Sequence, residues 1–286
     1  MPSVLGATSA RLVLGVDLGA TNLRVALGDD AISARAVEPV PSTGEALAER
    51  VAALGRSLAG PSWGSVAGAA VGVPGIPDGD GFSGLIAGAA GLTGAPLRTL
   101  LRDALGVPVV LENDLNLAAV AEHRARSVPD LAFIGVGTGV GMGIVAGGRL
   151  LRGASGAAGE VGHLPLGSAS AAGPDGLGPL EAVAGGAGLA ARWPGGTHDL
   201  FLAAERGEPA ALALLQAQAE ALAVAIRAVA ALLDPGLIVL GGGLGSRPDV
   251  LERVRAALGT PAPAVEASLL GEDAGLIGAL AAAPSA

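Results

Sequence analysis

Short apolar runs, each cut off by glycine or proline, set the rhythm of this chain. Val66 to Val73 predicts a buried strand ending in the turn Gly72-Val73-Pro74-Gly75. Leu97 to Leu105 predicts an amphipathic helix, and Val107-Pro108-Val109-Val110-Leu111 a short apolar strand. From that strand Leu115, Leu117, Ala118, Ala121 and Glu122 carry a helical pattern onward. Leu212, Leu215, Ala219, Leu222, Ile226, Val229 and Leu233 alternate spacings of three and four, which predicts one long helix with a core-facing stripe. Asp234-Pro235-Gly236 stops it, and Leu237-Ile238-Val239-Leu240 follows as a buried strand feeding Gly241-Gly242-Gly243. Ala274 to Ala283 reads as a further short apolar helix, and Gly/Ala/Ser-rich Ser168 to Gly178 as a flexible loop.

One pattern occurs twice. Leu14-Gly15-Val16-Asp17-Leu18-Gly19-Ala20-Thr21 aligns with Ile134-Gly135-Val136-Gly137-Thr138-Gly139-Val140-Gly141, and Val25 to Gly28 with Val145 to Gly148. Each copy reads as strand, glycine turn, strand. Two copies predict a duplicated α/β fold with a cleft between its halves. Glycine turns let backbone N–H groups converge on an anion without a cationic side chain. Either turn alone reads equally well as an ordinary hairpin; two at matched positions could clasp a polyphosphate from both sides.

Composition narrows the function classes. Hydrophobic residues are 51% of the 286, and mean hydropathy is +0.58. The excess is mostly alanine, and Pro61, Pro74 and Pro77 interrupt the long uncharged stretch around them, so no transmembrane helix is expected. The start of the chain lacks a basic region, so no secretory signal is expected and a cytoplasmic location is. The absence of cysteine excludes disulfides, thiol nucleophiles and Cys-ligated zinc. Net charge is −9, and all 17 basic residues are arginine. That rules out Schiff-base lysine chemistry and argues against nucleic acid as a partner.

Glu112-Asn113-Asp114 sits where the predicted Val107–Leu111 strand meets a helix. Asn113 suits an N-cap, and the helix dipole stabilises Asp114 as a carboxylate in the first turn. A positioned, ionised carboxylate can take a proton from a hydroxyl. For an isolated Asn-Asp pair, simple helix capping is the commoner explanation.

Taken together, these segments resemble the ROK family of sugar kinases, within the actin-like and hexokinase-like superfamily. The likeness runs from about Leu12 to the last helix. It rests on Asp17-Leu18-Gly19-Ala20-Thr21-Asn22-Leu23-Arg24, Glu112-Asn113-Asp114, Gly137-Thr138-Gly139-Val140-Gly141, Gly153 to Gly159 with Glu160-Val161-Gly162-His163, and Leu240-Gly241-Gly242-Gly243. The resemblance implies a two-lobed actin-like (ribonuclease H-like) α/β ATPase fold with duplicated mixed sheets and an interlobe cleft. It divides the chain into a smaller lobe over 1–111, completed by the C-terminal helix 274–286, and a larger lobe over 112–273.

The resemblance also implies ATP- and Mg2+-dependent phosphorylation of a hexose hydroxyl. Asp114 then matches the general base. Asp17 matches the family position near Mg2+, through water. Gly19, Thr21 and Asn22, with Gly137, Thr138 and Gly139, match phosphate contacts. Gly241, Gly242 and Gly243 match the adenosine-side loop. Asn113, Asp114, Glu160, His163 and Glu181 match positions that hydrogen-bond sugar hydroxyls. Arg24 reads equally as a salt bridge or a ligand contact.

Two departures from the family pattern stand out. Relatives bind a structural zinc with cysteines this chain lacks, and Pro179 stands where the last would fall, so no zinc site is expected. Ala87 to Leu92 offers Ala-Gly-Ala-Ala-Gly-Leu where relatives carry a sugar-contacting asparagine and a tryptophan. The leading expectation is glucose to glucose 6-phosphate. The alternatives are fructose, mannose or an N-acetylated aminosugar, or a degenerate sugar sensor. DNA binding is not expected, since only a short segment precedes the first strand, and a homo-oligomer, a dimer first, is.

Overall fold

The structure is a computed structural model in which residues 12–19, 21–83, 91–167 and 177–284 are described. Contacts divide the chain into two compact units, Met1–Asp114 with Leu276–Ala286, and Leu115–Gly275.

In the first unit a hairpin of β1 (Leu12–Leu18) and β2 (Asn22–Gly28) continues into β3 (Ile32–Pro39). Helix α1 (Gly44–Ala59) starts at Thr43, whose hydroxyl oxygen accepts from Ala46 N–H at 3.2 Å. Strand β4 (Val66–Val73) leads through Pro74 and Gly75 into a small ribbon, β5 (Ile76–Asp78) with β6 (Gly81–Ser83). Helix α2 (Leu97–Leu105) and β7 (Val109–Asn113) complete the segment. The sheet order is β3-β2-β1-β4-β7, with β1, β2 and β3 antiparallel and β4 and β7 parallel. Strand β4 is small and apolar because it is covered on both faces, whereas edge strand β3 alternates half-buried and exposed positions. Leu47 and Val51 of α1 pack with Leu97 and Leu101 of α2 into this sheet's core.

The second unit repeats the plan. It follows α3 (Asp114–Arg126) with β8 (Leu131–Val136), β9 (Val140–Ala146) and β10 (Arg149–Leu150). Short helices α4 (Pro179–Ala184), α5 (Gly186–Ala190) and α6 (Gly196–Glu205) lead to α7 (Pro209–Leu233). Then come β11 (Leu237–Gly241), α8 (Gly242–Gly245), α9 (Pro248–Leu258) and β12 (Val265–Ala267). The order β10-β9-β8-β11-β12 has the same antiparallel-then-parallel arrangement as the first sheet. Helix α7 has the length and apolarity to cross a membrane. Its Leu215, Ala219, Leu222, Ile226 and Val229 are instead buried in this unit's core, while Leu233 at its end is exposed.

The last helix, α10 (Ala274–Ala282), passes into the first unit at Leu276. It lies so close to β1 that a Cβ on Gly15 would meet Leu276 O at 2.9 Å.

The duplication is real in topology, but its register differs from the letter-by-letter alignment. The last β1–β2 pair is Leu18 with Leu23, and the last β8–β9 pair is Val136 with Val140. Asp17 pairs Gly72 in β4, and Gly135 pairs Gly241 in β11. Asp17 therefore corresponds to Gly135, not to Gly137, and Gly19 corresponds to Gly137. The unpaired turn is longer in the first copy, Gly19 to Asn22 against Gly137 to Gly139, which is why the glycines misled the alignment.

Candidate active site

In the first unit, Asp17 lies near the end of β1, directly across from Arg24 of β2. Arg24 Nη1 donates to Asp17 Oδ2 at 3.3 Å, so a salt bridge is formed at this position. Burial pushes the Asp17 carboxyl above the ordinary aspartate range, against the opposing pull of the guanidinium. In the following turn Gly19 N–H donates to Asn22 O at 3.0 Å. Thr21 and Asn22 are exposed, with Asn22 Nδ2 donating to Thr21 Oγ1 at 3.3 Å.

Strand β7 runs two residues further than the apolar run suggested, so Glu112 and Asn113 are strand residues and Asp114 opens α3. Glu112 is buried, and its Oε1 accepts from Asn113 N–H at 3.0 Å. The Asn113 side-chain amide donates to Gly75 O at 3.1 Å, which ties the strand end to the turn after β4. Asp114 is half-buried in the helix's first turn, where the dipole favours its negative charge.

In the second unit the Gly137–Gly139 turn is held from several sides. Gly137 N–H donates to Gly139 O at 3.0 Å, and Gly186 and Ala187 N–H donate to Gly137 O and Thr138 O at 2.8 and 2.9 Å. Glu181 Oε1 accepts from Val140 N–H at 3.2 Å. Glu160 precedes a short helical turn, Val161–His163. A Cβ on Gly159 would lie 1.9 Å from Met142 O, so this segment is pressed against β9. Although Glu160 is exposed overall, partial burial of its carboxyl raises its pKa; the charge of Glu181 raises it further and that of His163 lowers it. A Cβ on Gly162, between Glu160 and His163, would lie 3.5 Å from Glu181 Cβ, so the fold brings the Glu160–His163 segment beside Glu181.

A family model for the ROK family matches residues 13–286. The chain belongs to the ROK family. It is 35% identical to an N-acetylmannosamine kinase of Shigella boydii, over 93% of this chain and 96% of that one. Two bifunctional NanE/NanK enzymes of Brucella match at 36% identity, and this chain spans about half their length, 52%. Among solved structures, a ROK hexokinase from Thermus thermophilus superposes with a TM-score of 0.80 at 35% identity, over 94% of this chain and 97% of that one. A ROK family glucokinase from Streptomyces griseus, in complex with glucose and AMPPNP, gives 0.78 at 28% identity, over 95% and 99%. The fold is the actin-like α/β fold of those ROK structures.

Within this ROK protein the glycines expected at a nucleotide differ in what a Cβ would meet; on Gly19 it would lie 3.2 Å from Asn22 O. A Cβ on Gly139 would lie 2.0 Å from Glu181 Oε1, and one on Gly241 2.2 Å from Phe133 Cζ. Gly242 has φ +78 and would press on Val136 O at 2.7 Å. Gly241 and Gly242 are required by the fold, whereas at Gly139 the obstacle is only the end of a flexible side chain. A Cβ on Gly137 or Gly243 meets nothing within 4 Å, and neither has a positive φ. Packing among the described residues supplies no reason for glycine at these two.

Sequence reasoning missed the role of Val140 N–H and of Gly186 and Ala187 N–H, because their contacts join segments far apart in the chain. Among the described residues no cluster of three or more His, Cys, Asp or Glu could hold a metal ion. Ala87 to Ala90, and Ser168 to Gly176 of the expected loop, lie outside the described residues.

Proposed function

We propose that this chain transfers the γ-phosphoryl group of ATP to a hydroxyl of a hexose or N-acetylated hexosamine. The carrying observation is the position of Glu181: it lies 3.5 Å from where a Cβ on Gly162 would stand, in the Glu160–His163 segment, and it accepts from Val140 N–H directly after the Gly137–Gly139 turn. Carboxylates that accept, beside an imidazole, suit a polyol, and a glycine turn suits a phosphate. Gly19 and Gly137 spend their own N–H groups inside their turns. Anion contacts are therefore assigned to the N–H groups of Thr21, Thr138 and Gly139 and to the Thr21 and Thr138 hydroxyls. Gly137 and Gly243 leave room for a ligand to come close. These residues fit a nucleoside triphosphate held without lysine.

Asp114 is assigned as the general base, accepting the proton of the acceptor hydroxyl as that oxygen attacks. Asn113, fixed through Gly75, orients a neighbouring hydroxyl. Glu160, His163 and Glu181 align the ring. Asp17 is one carboxylate at a turn, which fits Mg2+ held mainly through its own waters. Magnesium bound with ATP would neutralise charge on the phosphates.

The names of the curated relatives favour an N-acetylated hexosamine over glucose, and the two solved structures favour a hexose. Coupled ADP release with Mg-ATP against N-acetylmannosamine, N-acetylglucosamine, glucose, mannose and fructose separates them. We expect turnover on N-acetylmannosamine or glucose, with a phosphomonoester product by phosphorus NMR. Binding without turnover on every sugar would favour a sensor instead.

A further inference from the structure

Glu181 stands between residues that the kinase reading gives to different ligands. It packs against the segment expected to hold the sugar: a Cβ on Gly162, between Glu160 and His163, would lie 3.5 Å from Glu181 Cβ. Its Oε1 accepts from Val140 N–H at 3.2 Å, immediately after the Gly137–Gly139 turn expected to hold phosphate. The same oxygen occupies the space a side chain at Gly139 would need, 2.0 Å from a Cβ built there. The helix that carries Glu181 leads directly to Gly186 and Ala187, which donate to the carbonyls of Gly137 and Thr138. One short segment, from Glu181 to Ala187, therefore touches every residue of the turn.

We infer that Glu181 is a positioning residue for the Gly137–Gly139 turn as well as a sugar-binding residue, so that one carboxylate couples sugar and nucleotide affinity. The inference rests on the kinase reading above. A sugar hydroxyl donating to one carboxylate oxygen fixes the side chain and keeps the other oxygen on Val140 N–H. The turn is then ordered before the nucleotide arrives, and its ordering cost is not charged to nucleotide binding. Coupling of this kind is reciprocal: each ligand tightens the other by the same factor.

The test is calorimetric titration of the full chain with Mg2+ and a non-hydrolysable ATP analogue, in the absence of sugar. An amide oxygen in Glu181→Gln can still accept from Val140 N–H, and Glu181→Ala cannot. Loss of a charge-assisted hydrogen bond should weaken nucleotide binding about tenfold in Glu181→Ala, and Glu181→Gln should stay within about threefold of wild type. A second arm reads the opposite direction. Gly139→Ala evicts the flexible carboxylate, so affinity for N-acetylmannosamine or glucose, measured without nucleotide, should fall about tenfold. If Glu181→Ala does not fold, the Gly139→Ala titration decides alone. A residue that only binds sugar would leave sugar-free nucleotide affinity equal in wild type and both Glu181 variants. That result, or unchanged sugar affinity in Gly139→Ala, would overturn the coupling while the kinase reading stood. A wild type that binds neither nucleotide nor sugar would overturn both.

Discussion

A single added methyl group separates glycines that the packing requires from glycines beside open space. Gly241→Ala drives a methyl into the Phe133 ring and should cost about 1–3 kcal/mol, read as a lower urea midpoint. Gly137→Ala and Gly243→Ala meet open space, so their melting temperatures should stay near wild type while ATP affinity falls. Unchanged ATP affinity in both would remove these two positions from the nucleotide site. Glu160 gives a second prediction. Its pKa is raised in the folded chain, so the neutral acid is relatively favoured and contributes stability below the ordinary glutamate range. That contribution is lost as pH rises through the raised pKa, and at neutral pH the ionised carboxylate is a burden. Glu160→Gln should therefore melt higher than wild type at pH 7, with the gap closing in acid, and should bind sugar less tightly. A lower melting temperature at pH 7 would contradict the burial argument. Asp114, Glu160, His163 and Glu181 could be picked out from motif residues alone. The Arg24–Asp17 salt bridge follows from the cross-strand register, which the motif alone does not show. The Val140–Glu181 bond had no local signal at all.

Elements with a strong one-dimensional period were legible. Strand β4, helix α2 and the α7 stripe follow from apolar spacing, and glycine or proline marks their ends. Strand β7 ran past its apolar run because Glu112 and Asn113 find partners inside the fold, which hydropathy does not register. Edge strand β3 was missed because its alternation does not follow hydropathy: Val37 is exposed while Glu38 is half-buried. Helix α3 carries a feature that spacing also hides. Glu122 is fully buried; it pairs with Arg126 at 2.8 Å and accepts from Ser268 Oγ and from Leu270 N–H at 2.9 Å. Arg126 in turn reaches Glu266 and Ala267 O. This network ties α3 to the segment that leads into α10. Glu122→Ala leaves Arg126 buried with its main partner gone, and should destabilise the chain by about 3–5 kcal/mol in urea unfolding. A loss below about 1 kcal/mol would mean that Glu266 alone compensates the guanidinium.

On the scale of the whole molecule, a repeated hairpin in the sequence becomes two sheets with one strand order. The repeat was visible because glycine turns punctuate both copies; its register was not, because the two turns differ in length. In the structural register Asp17 has Gly135 as its counterpart, so only the first copy carries an acid at this position. The two halves share an architecture but not this acid. Chain division falls at Asp114 and Leu115, so the residue assigned as base is the last of one unit and begins a helix that belongs to the other. The most direct measurement is steady-state turnover of Asp114→Asn with Mg-ATP and the preferred sugar, alongside calorimetric sugar affinity. Removing a positioned base should lower kcat by about a hundredfold to ten-thousandfold and leave sugar affinity within about threefold. An Asp114→Asn protein that turns over at near wild-type rate would contradict the account.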